Sequence, residues 1–477
     1  MSMLNNLNEL NHRKAPRAGI KRRRFLQGGF AALAGLSLPE VFDQTSYAAR
    51  LGKQPSKLKI VDIERQTVRL PFRAAPQRAM DREIPHWRWA ELVKVTLSGG
   101  VEGVGEGLLY YSWGVTSAEN VKYAIGRNAA ELLWNDDLGA ALQMALFDAV
   151  GKAGDVPAHR LLGNQLYETT PLSWWNIDMP TKDMLSECQA AQRLGYKAYK
   201  TKGRPWYDLW DQTETCAAAM PEDFKIDMDF NETLLTAKQA IPILKWMDQF
   251  PQIDIYESPI PQADALGNAE ITKAVRAGVS LHYGTPPAKV VIKLDVCDGF
   301  VIGGGATRLM TQAHVAETAD MRFWLQLVGT GVTAAFSLHF GAVCKAATWP
   351  AVNCHQLYVH DLLKQPIKVK DGYADVPDKP GLGIEVDWNA VVKYSVEKPT
   401  ARPDPRRMIE TTWPDGRRMM TANDGTVNFM LNPARSPGNM PFFEKGVDSR
   451  LLPDDGSAQW DQWYQQSRKQ GPTMVAG

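Results

Sequence analysis

The sequence predicts an α/β fold, a (β/α)8 (TIM) barrel preceded by a smaller α+β capping domain. Two observations carry the barrel. From Pro171 onward strand-like and helix-like stretches alternate, and the polar residues closing the strands, Lys202, Asp229, Glu257, His282, Asp298 and Gln326, stand 27, 28, 25, 16 and 28 residues apart. Such a repeat is a run of βα units, which closes a parallel sheet into a barrel when it reaches eight. A third observation, strands joined by a tight glycine turn ahead of Pro171, sets the first domain apart.

In chain order the first element is a leader. Residues 21–27 read KRRRFLQ, with Arg22 and Arg23 ahead of Phe25 and Leu26, then FAALAGLSLP and the small residues of Ser46-Tyr47-Ala48. The apolar stretch is too short and too rich in glycine to span a bilayer as a stable helix. Residues 1–48 as a whole resemble a twin-arginine-type export signal, implying an exported, periplasmic or extracytoplasmic protein with no stable membrane span after signal removal. The chain holds 54 Lys/Arg and 53 Asp/Glu; the leader takes seven and three of these, leaving 47 against 50 and a formal charge of −3. A slightly acidic body without a dense basic run offers no footprint for nucleic acid. The five cysteines are scattered without CxxC spacing, so neither a zinc site nor a disulfide framework is indicated.

Residues 57–170 make the capping domain. IVDIERQTVRLPF, ELVKVTL and VEGVGEG read as strands, the last two joined by Ser98-Gly99-Gly100 as in an antiparallel meander. Between the first two, RAAPQRAMDREIPHWRWA shows no clear period and reads as a loop. Further on, DDLGAALQMALFDAVGKA places Leu138, Ala141, Leu142, Ala145 and Ala149 on one helical stripe.

Residues 171–395 make the barrel. SWWNID at 173–178 is the first strand, and TKDMLSECQAAQRLG is a helix with Thr181 as N-cap and Gly195 as its stop. YKAYKTK follows, then KIDMDFN, DIYESP, VSLHYG, DVCDGFVIGGG and FWLQLVGTG, with HQLYVHD as the eighth strand. Side chains alternate across a strand, so Lys200 and Lys202 share a face, and in a barrel they point inward at its mouth. Asp229 and Asn231 share a face of the next strand and Glu257 ends the one after, which gives two hard oxygen donors suited to Mg²⁺.

These residues resemble the enolase superfamily in its mandelate racemase and muconate-lactonizing branch. The similarity runs over roughly residues 57–395 and rests on GVGEG at 103–107, ALFDAVGKAGDVPAHRLLG at 145–163, YKTK, DFN, YESP, IGGG, AFSLHFGA and KPGLGIEVD in that order. It implies a modified barrel and a reaction begun by removing a proton α to a carboxylate beside a divalent metal, Mg²⁺ in most of the family. Lys202 is then the base, and Lys200 the like charge that lowers its pKa and faces the substrate carboxylate. Asp229 and Glu257 become metal ligands. The usual acid on the fifth strand is missing from VSLHYGTPP, which leaves His282 as third ligand and admits Mn²⁺ or another transition ion.

The branch's racemases add an Asp and a His on strands six and seven. Asp298 stands in the first place and Gln326 where the histidine would lie, so with one evident base the expected reaction is dehydration of a sugar acid or related hydroxycarboxylate. Epimerisation, racemisation or cycloisomerisation is the alternative within the superfamily, and an inactive ligand-binding relative the alternative outside catalysis. Substrate contacts are expected from Trp174, Asn176 and Asn231 in the barrel and from His86 and Trp87 in the capping loop. The expected partner is a small-molecule carboxylate, with the chain assembled as a homo-oligomer. Residues 396–477, rich in Pro, Asp, Arg and Trp, lie beyond the resemblance as an extension of unassigned role.

Overall fold

The computed structural model describes residues 56–111 and 113–475; the export-signal expectation for residues 1–48 lies outside them. The chain begins with an antiparallel sheet of β1 (Ile60–Arg69), β2 (Trp89–Leu97) and β3 (Glu102–Leu108), in that order. The helix Ala140–Ala153 lies across it. VEGVGEG is glycine-rich because a Cβ on Gly103 or Gly105 would fall onto the backbone of that helix, at Ala145 and Ala141 respectively. The helix buries nearly its whole circumference, more than the single stripe its sequence suggests.

The connection read as a loop is ordered. Residues Ala74–Glu83 form a helix, Pro85–Arg88 a 3₁₀ turn, and β2 starts at Trp89. Its period is hidden because Arg82 and Glu83 are buried alongside Ala79 and Met80, held by ion pairs rather than by apolar packing.

The barrel strands are β4 (Thr169–Trp175), β5 (Ala198–Lys202), β6 (Lys225–Asp229), β7 (Ile253–Glu257), β8 (Gly278–His282), β9 (Gly299–Ile302), β10 (Arg322–Leu325) and β11 (Ala351–Val352). They run in the order β10-β9-β8-β7-β6-β5-β4-β11, parallel throughout, and a parallel bridge between Gln326 and Val352 closes the ring. Three expectations are corrected. The eighth strand is β11; HQLYVHD instead opens with a 3₁₀ turn at His355–Leu357, because Cys354 takes a left-handed conformation (φ 62°) that ends the extended run. Thr181 is the first residue of its helix, preceded by Pro180, and makes no capping bond. The sixth strand starts at Gly299, so Asp298 marks its amino end, not its carboxyl end.

A short strand β12 (Tyr373–Asp375) pairs antiparallel with β4. Beyond it, β13 (Met408–Thr412), β14 (Arg418–Ala422), β15 (Asp448–Leu452) and β16 (Thr473–Val475) form a separate antiparallel sheet in the order β15-β13-β14-β16, backed by the helix Ala458–Gln470. Glu106 of β3 ties cap to barrel: its buried carboxylate accepts from the backbone and hydroxyls of Thr330 and Thr333 at the start of the helix Gly331–Val343. A carboxylate at a helix N-terminus meets unpaired N–H groups and the positive end of the dipole.

Candidate active site

Register brings the site together. In parallel strands paired residues point the same way, and Lys200 pairs with Asp227, Lys202 with Asp229, and Asp229 with Glu257. Lys202 Nζ donates to Asp229 Oδ2, and Lys200 Nζ lies against Glu257 Oε2. Each ammonium therefore faces a carboxylate. Lys200 is buried, 4.5 Å above the Trp324 ring, and reaches Gln326 Oε1 at 3.4 Å; Lys202 is partly open.

Asp229 is held from three sides. Asn231 donates to it from its backbone (2.8 Å) and its side chain (3.0 Å), with a left-handed φ of 45° folding the strand end back on itself. Arg204 in turn donates to Asn231 Oδ1 at 2.6 Å. Glu257 meets His282 Nε2 through Oε1 at 2.9 Å. Burial alone would raise the Glu257 carboxyl, but Lys200, then His282 and Lys202, outweigh it and hold the group well below the usual carboxylate range. Its buried oxygens have ionic neighbours on both sides, Lys200 and His282. Below this layer, burial pushes Asp227 well above its ordinary value, with Asp254 adding to the shift against the pull of Lys200.

Asp229, Glu257 and His282 thus stand on adjacent strand ends, and two carboxylates with an imidazole are chemically suited to a divalent cation. Among the described residues no three acidic, histidine or cysteine side chains stand close enough to enclose an ion, because Asp229 is turned to Lys202 and Asn231.

A cavity of about 260 Å³ opens above, with Lys202, Asp229, Glu257, His282 and Gln326 on its floor and Trp87, Trp175 and Tyr111 on its wall. A second, of about 320 Å³, shares Tyr111, His282 and Gln326 and runs past Gly303 and Gly304 to Arg308. Gln326 Nε2 donates to the Tyr111 hydroxyl at 3.0 Å on the boundary between them. The sixth strand end is bare of side chains because a Cβ on Gly303 would strike the Gln326 carbonyl, and one on Gly305 the Asp136 carboxyl.

Several expected residues lie elsewhere. Asp298 accepts from Val279 N at 2.7 Å at the amino end of the barrel, so it is removed from the site. Trp174 and Asn176 point outward and donate to Glu187 at 2.9 and 3.0 Å. Trp175, in register with Lys200, faces inward in their place. His86 is buried outside the cavity against Tyr110, whereas Trp87 lines it, stacked on Trp175 at 5.3 Å. Asn231 and His282 line the cavity as expected. Sequence reasoning missed Trp175, Tyr111 and Arg204. The Lys-x-Lys parity carried across to β4 would have found the first of these; Tyr111 and Arg204 have no comparable signal.

A family model described as enolase C-terminal domain-like matches residues 183–390. Muconate cycloisomerase 1 of Rhodococcus opacus is 25% identical over 346 residues, covering 64% of this chain and 90% of that protein. N-succinylamino acid racemase of Thermus thermophilus is 26% identical over 258 residues, 52% of this chain and 68% of that one. Among solved structures, muconate lactonizing enzyme of Pseudomonas fluorescens complexed with muconolactone superposes with a TM-score of 0.59 at 19% identity, over 72% of this chain and all of that one. The barrel fold is thus shared with that enzyme.

Proposed function

We propose that this enzyme, a barrel of the enolase superfamily's muconate-cycloisomerase and mandelate-racemase type, moves the proton on the carbon α to a substrate carboxylate, with Lys202 as the base. The observation that carries the reading is the floor of the cavity, where one partly open lysine stands among Asp229, Glu257 and Lys200. Lys202 takes the α-proton, and buried Lys200 faces the carboxylate on which negative charge gathers. Asp229, Glu257 and His282 have the donor chemistry for a divalent cation, although as arranged here they do not enclose one; such a cation, when bound, would supply further positive charge to those oxygens. Asn231 and Arg204 keep the Asp229 carboxylate in place, and Trp87 and Trp175 keep water off the base.

Inversion at a carbon needs a proton-handling group on each face. Opposite Lys202 stand Gln326 and bare glycines, which favours β-elimination of water from a hydroxycarboxylate such as a sugar acid. In that step the C–H pair forms the new double bond, the β-hydroxyl leaves as water, and the enol tautomerises to a 2-keto acid. Because Gln326 donates to the Tyr111 oxygen, the phenol keeps its own proton free for the leaving hydroxyl. Cycloisomerisation is the second reading, favoured by relatives such as muconate cycloisomerase that this chain matches over 90% of their length. Candidate acids incubated in D₂O with added Mg²⁺ or Mn²⁺ test both. The α-proton signal is expected to vanish with the wild type and persist with Lys202→Ala, and the product, keto acid or lactone, separates the readings. Wild-type exchange in the variant would refute the base.

A further inference from the structure

The chain between β14 and β15 lies beyond the enolase-like match, yet it reaches the mouth. Asn428, Leu431, Asn432 and Arg435 line the same cavity as Lys202. Their placement is built in. Asn428 turns the chain at a φ of 55°, and Phe429, Met430 and Leu431 bury themselves with Trp206 and Tyr207, which follow directly on β5. Arg435 is fixed through Nε alone, which donates to the Asn231 carbonyl at 3.0 Å and lies 3.3 Å from Glu232. Its two terminal nitrogens, and the side-chain amides of Asn428 and Asn432, make no hydrogen bond among the described residues. No acid from this segment lines the cavity.

We infer that this segment reads the end of the substrate remote from the reacting carbon, and that this end carries a second carboxylate. A guanidinium anchored by Nε presents a planar edge of N–H donors that matches a carboxylate, and two free amides beside it add donors. The inference rests on the reading of Lys202 as base only for which end reacts; the recognition itself does not require turnover.

The test pairs four-to-six-carbon hydroxy diacids with the matched acids ending in an alcohol, on the wild type, Arg435→Gln, Arg435→Lys and Asn432→Leu. Binding is read by calorimetry and turnover by α-proton exchange. The wild type is expected to bind the diacids more tightly. Arg435→Gln should cut the diacid-to-monoacid ratio about tenfold or more, through KM, with Arg435→Lys recovering part of it and Asn432→Leu giving a smaller loss. Equal binding of the two series by the wild type, or an unchanged ratio in Arg435→Gln, overturns the inference. Diacid preference without exchange would overturn the role of Lys202 and leave this recognition standing.

Discussion

Three histidines show how burial decides chemistry at single residues. His86 has both ring nitrogens buried without a partner among the described residues, and burial, with Arg402 and Arg407 nearby, pushes its pKa down to about 4. Burial does the same to His355, to about 4, and to His339, to about 3. Between an unfolded value of about 6.5 and those values, the unfolded chain binds protons the folded one refuses, so stability is complete above about 6.5 and falls as pH drops through it. Melting temperature measured from pH 7 to pH 4 should decline accordingly. His86→Phe should flatten the decline, recovering on the order of 2 kcal/mol at pH 4; an unchanged slope would show that His86 does not contribute. His282 offers a second test at this scale. His282→Glu should shift metal preference, measured by competition, from Mn²⁺ toward Mg²⁺ if the imidazole is a ligand, and leave it unaltered if it is not.

Among the elements, the strands bearing the lysines and carboxylates are legible in both position and phase, whereas the first, sixth and eighth are not. YKTK, DFN and YESP are legible as strand ends because polar residues closing an apolar run fit a barrel mouth. The phase of SWWNID is not legible, since both tryptophans are apolar and either could face inward; a one-residue slip exchanges the faces of a strand. DVCDGFVIGGG failed differently. An acid before an apolar run and glycines after it mark either end, and only the crowding at Gly303 and Gly305 shows which end is the mouth. The same logic yields a firm prediction on β3. Gly105→Ala would set a methyl group on the backbone at Ala141 and Ala145, which cannot yield as a flexible side chain could. The cost should be about 3 kcal/mol, read as a lower denaturant midpoint.

At the scale of the whole molecule, a buried ionic junction joins three parts of the chain that the sequence presents separately. Arg82 donates to Asp178 at 2.5 Å and to Glu83 at 2.7 Å; Arg204 stands 3.6 Å from Asp178, to which Trp206 also donates. Arg407, just ahead of β13, donates to the carbonyls of Arg82 and Glu83 at 3.0 and 2.9 Å. No pattern of periods or motifs announces such a junction, because its members are far apart in sequence and each alone reads as a surface charge. Asp178→Ala should leave Arg82 and Arg204 without their shared counter-charge and cost on the order of 3 kcal/mol. Since Arg204 also bonds Asn231, it should weaken ligand binding in calorimetry as well.

The position of the Asn428–Arg435 segment also has a consequence for synthesis. Residues emerge from the ribosome in order, and the barrel strands are complete at Val352, long before Arg435 is made. For that interval the barrel strands of a nascent chain exist without the Asn428–Arg435 side of the mouth. On the reading proposed above, selectivity for a particular acid would thus be acquired late in translation, after the residues proposed to move the proton have been made.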